Sequence, residues 1–147
     1  MKQNIKKLQL QDLFIGAWVV EENAFGRQSI PMYVSCLFED GDIYLDFNGN
    51  EADPWEAKIE DIRGIRISSE SMQHFQFKEI DHNVFEKSCE GFKVVVSIID
   101  HQQYRLVKAT IRHDEGGFQI NENIIYIHQL QKFVFENTRK PLVLEYE

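Results

Sequence analysis

Proline is scarce, with three in 147 residues, and no Pro-, Gly- or Ser-rich stretch interrupts the chain. That excludes a flexible linker or a low-complexity region. Cysteine is scarcer still: Cys36 and Cys89 stand alone, in no Cys-x-x-Cys or Cys/His spacing. Two such thiols exclude a disulfide framework and read as small buried hydrophobes of a reducing cytoplasm; one bond between Cys36 and Cys89 is the other reading. No apolar run reaches the roughly 18 residues of a membrane span. The nearest, residues 13–20, follows Lys2, Lys6 and Lys7, but Asp12 breaks its approach and Glu21 and Glu22 close it. We read it as a first strand and not as a secretion signal. Positive charge is also in deficit: sixteen Lys+Arg against twenty-four Asp+Glu give −8. A broad basic surface for nucleic acid or anionic membrane is therefore disfavoured. Phosphate-binding glycine loops, a nucleophile elbow and closely spaced histidine pairs are missing as well.

What is present is a globular composition: 43% hydrophobic and 27% charged residues, with eleven phenylalanines. This length buries a real core without disulfide or metal. The charge is concentrated. Residues 39–61 hold nine acids and one base, Lys58, so this segment alone carries −8. Turns attract Asp, Asn and Gly, so the plain reading is a series of solvated hairpin tips. The sharper reading is a contact surface for a basic partner, with Glu39, Asp40, Asp42, Asp46, Glu51 and Asp53 as its candidates. Asp46, Asn48 and Asn50 imitate the start of a calcium loop. However, Glu51 stands where that loop needs glycine and Ala57 where it needs the bidentate glutamate, so no metal or cofactor is assigned.

The pattern predicts an α+β fold in two halves, 1–66 and 67–147, read as one compact unit. The first half reads as an SH3-like small β-barrel: strands over 14–22, 30–38, 43–47 and 55–62, with Asp40-Gly41 and Asn48-Gly49-Asn50 as tight turns. The second half reads as an antiparallel sheet, strands over 77–80, 84–89, 92–99 and 104–113. A short helix, capped by Ser68 with Met72 and Phe75 on its apolar side, precedes it. The β-branched run Val94, Val95, Val96, Ile98, Ile99 predicts a strand buried on both faces. Arg105, Lys108 and Arg112 predict a wet side on the next one. Ile124, Ile127, Leu130, Phe133 and Val134 recur at spacings of three and four, which predicts an amphipathic helix over 124–138 capped by Asn123. Pro141 stops it, and residues 142–144 are read as a last strand.

Residues 126–135, with Thr138 and Pro141-Leu142 behind them, resemble the "YVHQLQNLYFALTGEEL" helix of a family of small uncharacterised proteins from Bacteroides-type bacteria and their prophages or mobile elements. Residues 13–19 resemble that family's opening "LRIGNWV", and residues 65–72 its central "IPLTEEWL", in the same order. Ala17 departs from the usual Asn, Gln76 from a Gly that ends the central helix, and Arg139-Lys140 from the usual Gly-Glu. The resemblance implies an architecture and a mobile-element association, with no chemistry attached.

Of the five histidines only His128 has a distinctive context, and it has no locally paired nucleophile or carboxylate. Its plain role is packing or capping near the start of its helix. Gln129 and Gln131 flank Leu130 and read as solvated amides able to contact a partner. His128, Gln129 and Gln131 complete the candidate interaction surface. The leading functional expectation is a cytoplasmic, non-catalytic protein-binding or scaffolding module. A nucleic-acid accessory protein using Arg105, Lys108, Arg112, Lys132, Arg139 and Lys140 is the second. An enzyme assembled from residues distant in sequence is the third.

Overall fold

A computed structural model describes residues 7–47, 50, 53–100 and 104–147. Glu51 and the Asn48-Gly49 part of the expected turn lie outside the described residues. The fold is α+β and dominated by strand, with two antiparallel five-stranded sheets and two α-helices. The chain divides into two compact units, Met1–Ile65 and Arg66–Glu147.

In the first unit, β1 (Trp18–Glu21), β2 (Met32–Leu37), β3 (Asp42–Asp46), β4 (Trp55–Lys58) and β5 (Ile62–Gly64) form a sheet in the order β4-β3-β2-β1-β5. Period-two alternation builds it: Ile43 and Leu45 of β3 are fully buried while Asp42 and Tyr44, which alternate with them, are half-exposed. Val19, Val34, Ile62 and Ala57 join them in the core, with Leu13 and Ala17 from the segment ahead of β1. Each such Ile or Leu contributes roughly 1.5–3 kcal/mol by leaving water. Two expectations change here. Residues 55–62 do not form one strand, because a 3-10 turn at Ile59–Asp61 divides β4 from β5. And no pairing joins β4 to β5 among the described residues, so the sheet is not a closed barrel.

In the second unit, α1 (Ser69–His74) starts where expected. The Ser68 hydroxyl accepts the Ser71 N–H at 3.0 Å and the Ser71 hydroxyl accepts the Ser68 N–H at 2.9 Å. Met72 and Phe75 are completely buried. The helix ends as Gln76 turns left-handed at φ 67°. Next come β6 (Lys78–Asp81), β7 (Val84–Cys89), β8 (Phe92–Asp100), β9 (Arg105–His113) and β10 (Phe118–Asn121), an antiparallel meander in sequence order. Phe85, Val94, Val96, Val107, Ala109 and Ile111 form its inner face, and α2 (Ile127–Thr138) lies against β9.

The second unit brings four corrections. β8 is not buried on both faces: Lys93 is exposed and Val95 and Ser97 are half-exposed, because one side of the sheet is uncovered. The β-branched run expresses strand propensity, not double burial. β10 was not expected; its apolar residues Phe118 and Ile120 face out, so the inward alternation that marks a strand is missing. The last helix starts at residue 127 and not 124. Asn123 gives its own N–H to the Asn121 side chain, and Tyr126 is still extended at φ −118°. Residues 142–144 form no strand, although Leu142 and Leu144 are buried and Val143 is exposed as a strand would place them. Among the described residues no helix is long and apolar enough to cross a membrane.

Candidate acidic groove

The first unit carries an open groove of about 560 Å³ lined by Glu21, Asp40, Asp42, Glu56 and Asp61, with Lys58 as the cation of its lining and Phe38, Tyr44 and Ala57 as its apolar part. Strand register explains the grouping. Asp42 lies opposite Lys58 and Tyr44 opposite Glu56, so all four side chains project from one face of β3 and β4.

The β2–β3 hairpin fixes the next two residues. Gly41 takes φ 94°, and a Cβ there would meet Ile59 Cγ2 at 3.2 Å, so glycine is strongly favoured. With that turn made, Asp40 Oδ1 accepts the Asp42 N–H at 2.9 Å and Phe38 N–H reaches the Asp42 carbonyl at 3.0 Å. Phe38 packs edge to face on Tyr44, with centroids 5.1 Å apart. Asp61 is held through its backbone, whose carbonyl accepts the Glu22 N–H at 2.8 Å. Arg63 braces the same turn by donating to the Glu60 carbonyl at 2.7 Å and pairing with Glu22 at 3.0 Å. At the flank, Trp55 is 56% exposed and its indole N–H donates to Glu21 Oε1 at 3.1 Å.

Lys58 is the informative member. Its ammonium sits 3.0 Å from Asp42 Oδ1. The hydrogen bond and charge of Asp42 raise its pKa above the ordinary lysine value, and Glu60 and Asp40 add to this against a small cost of lost solvent. The groove thus already holds one ammonium in a place where carboxylates favour it. No Ser, Cys or His lines it. Among the described residues no three His, Cys, Asp or Glu side chains group as a metal ion would need.

The expected site residues are distributed unevenly around this groove. Asp40 and Asp42 line it. Glu39 and Asp53 are exposed outside the lining, and Asp53 is tied into a turn with Asn50. Asp46 is 4% exposed, and its carboxylate accepts the Phe47 N–H at 2.9 Å, so it is turned into the unit. Glu51 lies outside the described residues. His128 and Gln131 are buried, His128 stacking on Tyr126 at 5.6 Å. The Gln129 carboxamide accepts the N–H groups of Ile125 (2.8 Å) and Tyr126 (3.0 Å), which makes it the cap of α2. Sequence reasoning missed Glu21, Phe38, Tyr44, Glu56, Lys58 and Asp61 as members of the site. The alternation of β3 held the cue for Tyr44, because a residue between two core positions projects outward beside Asp42. Comparison with protein-family models, curated proteins and solved structures finds no match.

Proposed function

We propose that the chain is a non-catalytic protein-binding module whose acidic groove receives a basic, extended segment of a partner protein. The observation that carries this reading is the grouping of five carboxylates around the Phe38–Tyr44 pair, with Lys58 seated on Asp42. Lys58 stands where an incoming lysine or arginine would be held. The aromatic rings offer apolar surface to that side chain's methylene stem, and the carboxylates offer charge to its head. Titration of a Lys/Arg-rich peptide, followed by Trp55 fluorescence and by calorimetry, tests it. Binding that disappears when Asp40→Lys and Asp42→Lys are introduced supports the groove; equal binding by that variant refutes it.

The finer architecture belongs to the same proposal. An SH3-like strand arrangement for Met1–Ile65, left open between β4 and β5, is supported by the meander of β4, β3, β2 and β1 and by the return of β5 to β1. The mobile-element family is supported by two backbone positions. Gln76 and Arg139, which stand where that family has glycines, are both left-handed, at φ 67° and 60°. The cytoplasmic assignment is supported by Cys36 and Cys89, both free thiols.

A second reading, a nucleic-acid accessory role, is favoured by one observation. Lys93 lies opposite Arg112 and Ser97 opposite Lys108, so three cations share the uncovered face of the second unit's sheet, Lys93 being paired with Glu86 at 3.4 Å. Arg105 is not among them, since its guanidinium donates to the Ile67 carbonyl, and Lys140 donates to the Glu90 carbonyl. A low-salt gel shift with single- and double-stranded probes decides this reading, because electrostatic binding is strongest there.

A further inference from the structure

Four strands lie at sheet edges, and three of them carry a defence against pairing with another chain. β4 holds Glu56 and Lys58 and follows Pro54. β5 is three residues long and holds Arg63. β6 holds Lys78, Glu79 and Asp81, and its register shifts between Glu79 and Asp81. Charges, proline, shortness and bulges are the devices that blunt an edge. β10, Phe-Gln-Ile-Asn, has no charge and no proline, and it pairs with β9 in unbroken register. It also displays apolar surface, with Phe118 66% and Ile120 45% exposed.

The backbone says what such an edge accepts. His113 N–H donates to the Gly117 carbonyl, so Gly117, Gln119 and Asn121 turn their peptide groups toward β9. Phe118 and Ile120 therefore turn theirs away, toward the open edge. An occupant must be an extended strand that supplies matching N–H and C=O groups. It must also be uncharged and apolar on one face to cover Phe118 and Ile120.

We propose that the occupant is β10 of a second copy of this chain, paired antiparallel about a two-fold axis through Gln119. Of the registers that keep the outer face on the outer face, this one sets Phe118 of each copy against Ile120 of the other. Both are the residues whose peptide groups face the edge, so each such pair is a hydrogen-bonded pair. The apolar side chains meet on the same face, and Gln119 meets its own copy in a non-hydrogen-bonded position. The pairing is isologous and uses the unguarded edge of both copies, so it closes at two and joins two five-stranded sheets into one. Two short strands bury less than the roughly 1,200 Å² of a standard stable interface, so the dimer is concentration-dependent.

Sedimentation equilibrium of the full chain over a concentration series tests the proposal. The expected result is a monomer–dimer equilibrium without larger species. Ile120→Pro deletes an N–H that the β9 ladder does not use, so this variant is expected to keep its circular-dichroism melt and lose the dimer. Ile120→Lys, which places a charge on the edge without touching the backbone, is expected to do the same and serves if the proline variant does not fold. Gln119→Cys places two thiols across a pair with Cα atoms about 4.5 Å apart, within disulfide reach, and is expected to cross-link under mild oxidation. Phe118→Cys separates them by about 8 Å and is expected not to. A chain that is monomeric up to about 1 mM overturns the proposal. So does a dimer that survives both Ile120 variants, or one that cross-links through Phe118→Cys and not Gln119→Cys.

Discussion

Among the described residues three non-glycine residues hold the left-handed backbone: Gln76, Asn83 and Arg139. Asn83 is a residue type that tolerates it, because its short amide bonds locally. Gln76 and Arg139 are not, and each ends a helix where glycine is the usual choice. The left-handed conformation costs an L-residue roughly 1–2 kcal/mol, while glycine costs roughly 0.5–1 kcal/mol in unfolded-chain entropy. Gln76→Gly and Arg139→Gly are each expected to stabilise the chain by about 0.5 kcal/mol and raise Tm by about 1–2 °C, read by a calorimetric melt. The Gln76 change forgoes a 3.2 Å contact from its amide to Glu147, which is exposed and adds little. An unchanged or lowered melt in both would show that the two turns are paid for by side-chain contacts. Gly41 marks the opposite case, a glycine position where both φ and the 3.2 Å approach of Ile59 disfavour a side chain.

At the scale of elements, α2 shows how a surface-looking residue can be structural. Gln129 reads from sequence as a free amide, yet it holds two peptide N–H groups ahead of the helix and sets where the helix begins. Gln129→Ala is expected to cost about 1 kcal/mol, and Gln129→Glu to retain the cap and gain from the helix dipole. Urea unfolding of the two variants distinguishes this from a partner-contact role, which would leave both as stable as the parent. The same element shows what sequence could and could not tell. Spacing located the apolar face of α2, since Ile127, Leu130, Phe133 and Val134 are all buried. It misplaced the start because Ile124 fits the same period although the chain is not yet helical there, Tyr126 still being extended. The Asp40-Gly41 hairpin and the Ser68 cap were legible because each is decided by its own side chains within four residues. β10 was not, because its apolar residues face out, and neither was the groove's full membership, because Glu21 and Phe38 meet Glu56 and Asp61 only through sheet pairing.

For the whole molecule, the −8 is divided unequally between the units. Met1–Ile65 has twelve acids against six bases, and Arg66–Glu147 has twelve against ten. Electrostatic attraction for a cationic peptide therefore centres on the first unit, and screening governs its range: the Debye length is about 30 Å at 10 mM salt and about 8 Å at 0.15 M. The association rate of a Lys/Arg-rich peptide is accordingly expected to fall steeply over that interval, by roughly 10-fold or more, while the dissociation rate changes less. Lys58 supplies the internal control. It occupies Asp42 at 3.0 Å, so an incoming ammonium must compete with it. Lys58→Ala takes the unit's net charge further negative and frees Asp42, and it is expected to tighten peptide binding severalfold at low salt. The advantage should shrink as salt rises, because both the competitor and the incoming charge are then screened. Stopped-flow association at several salt concentrations, for the parent, Lys58→Ala and the Asp40→Lys/Asp42→Lys variant, separates the cases. If Lys58→Ala binds no better than the parent at 10 mM salt, Lys58 is not standing in the partner's place and the occupied-groove reading fails.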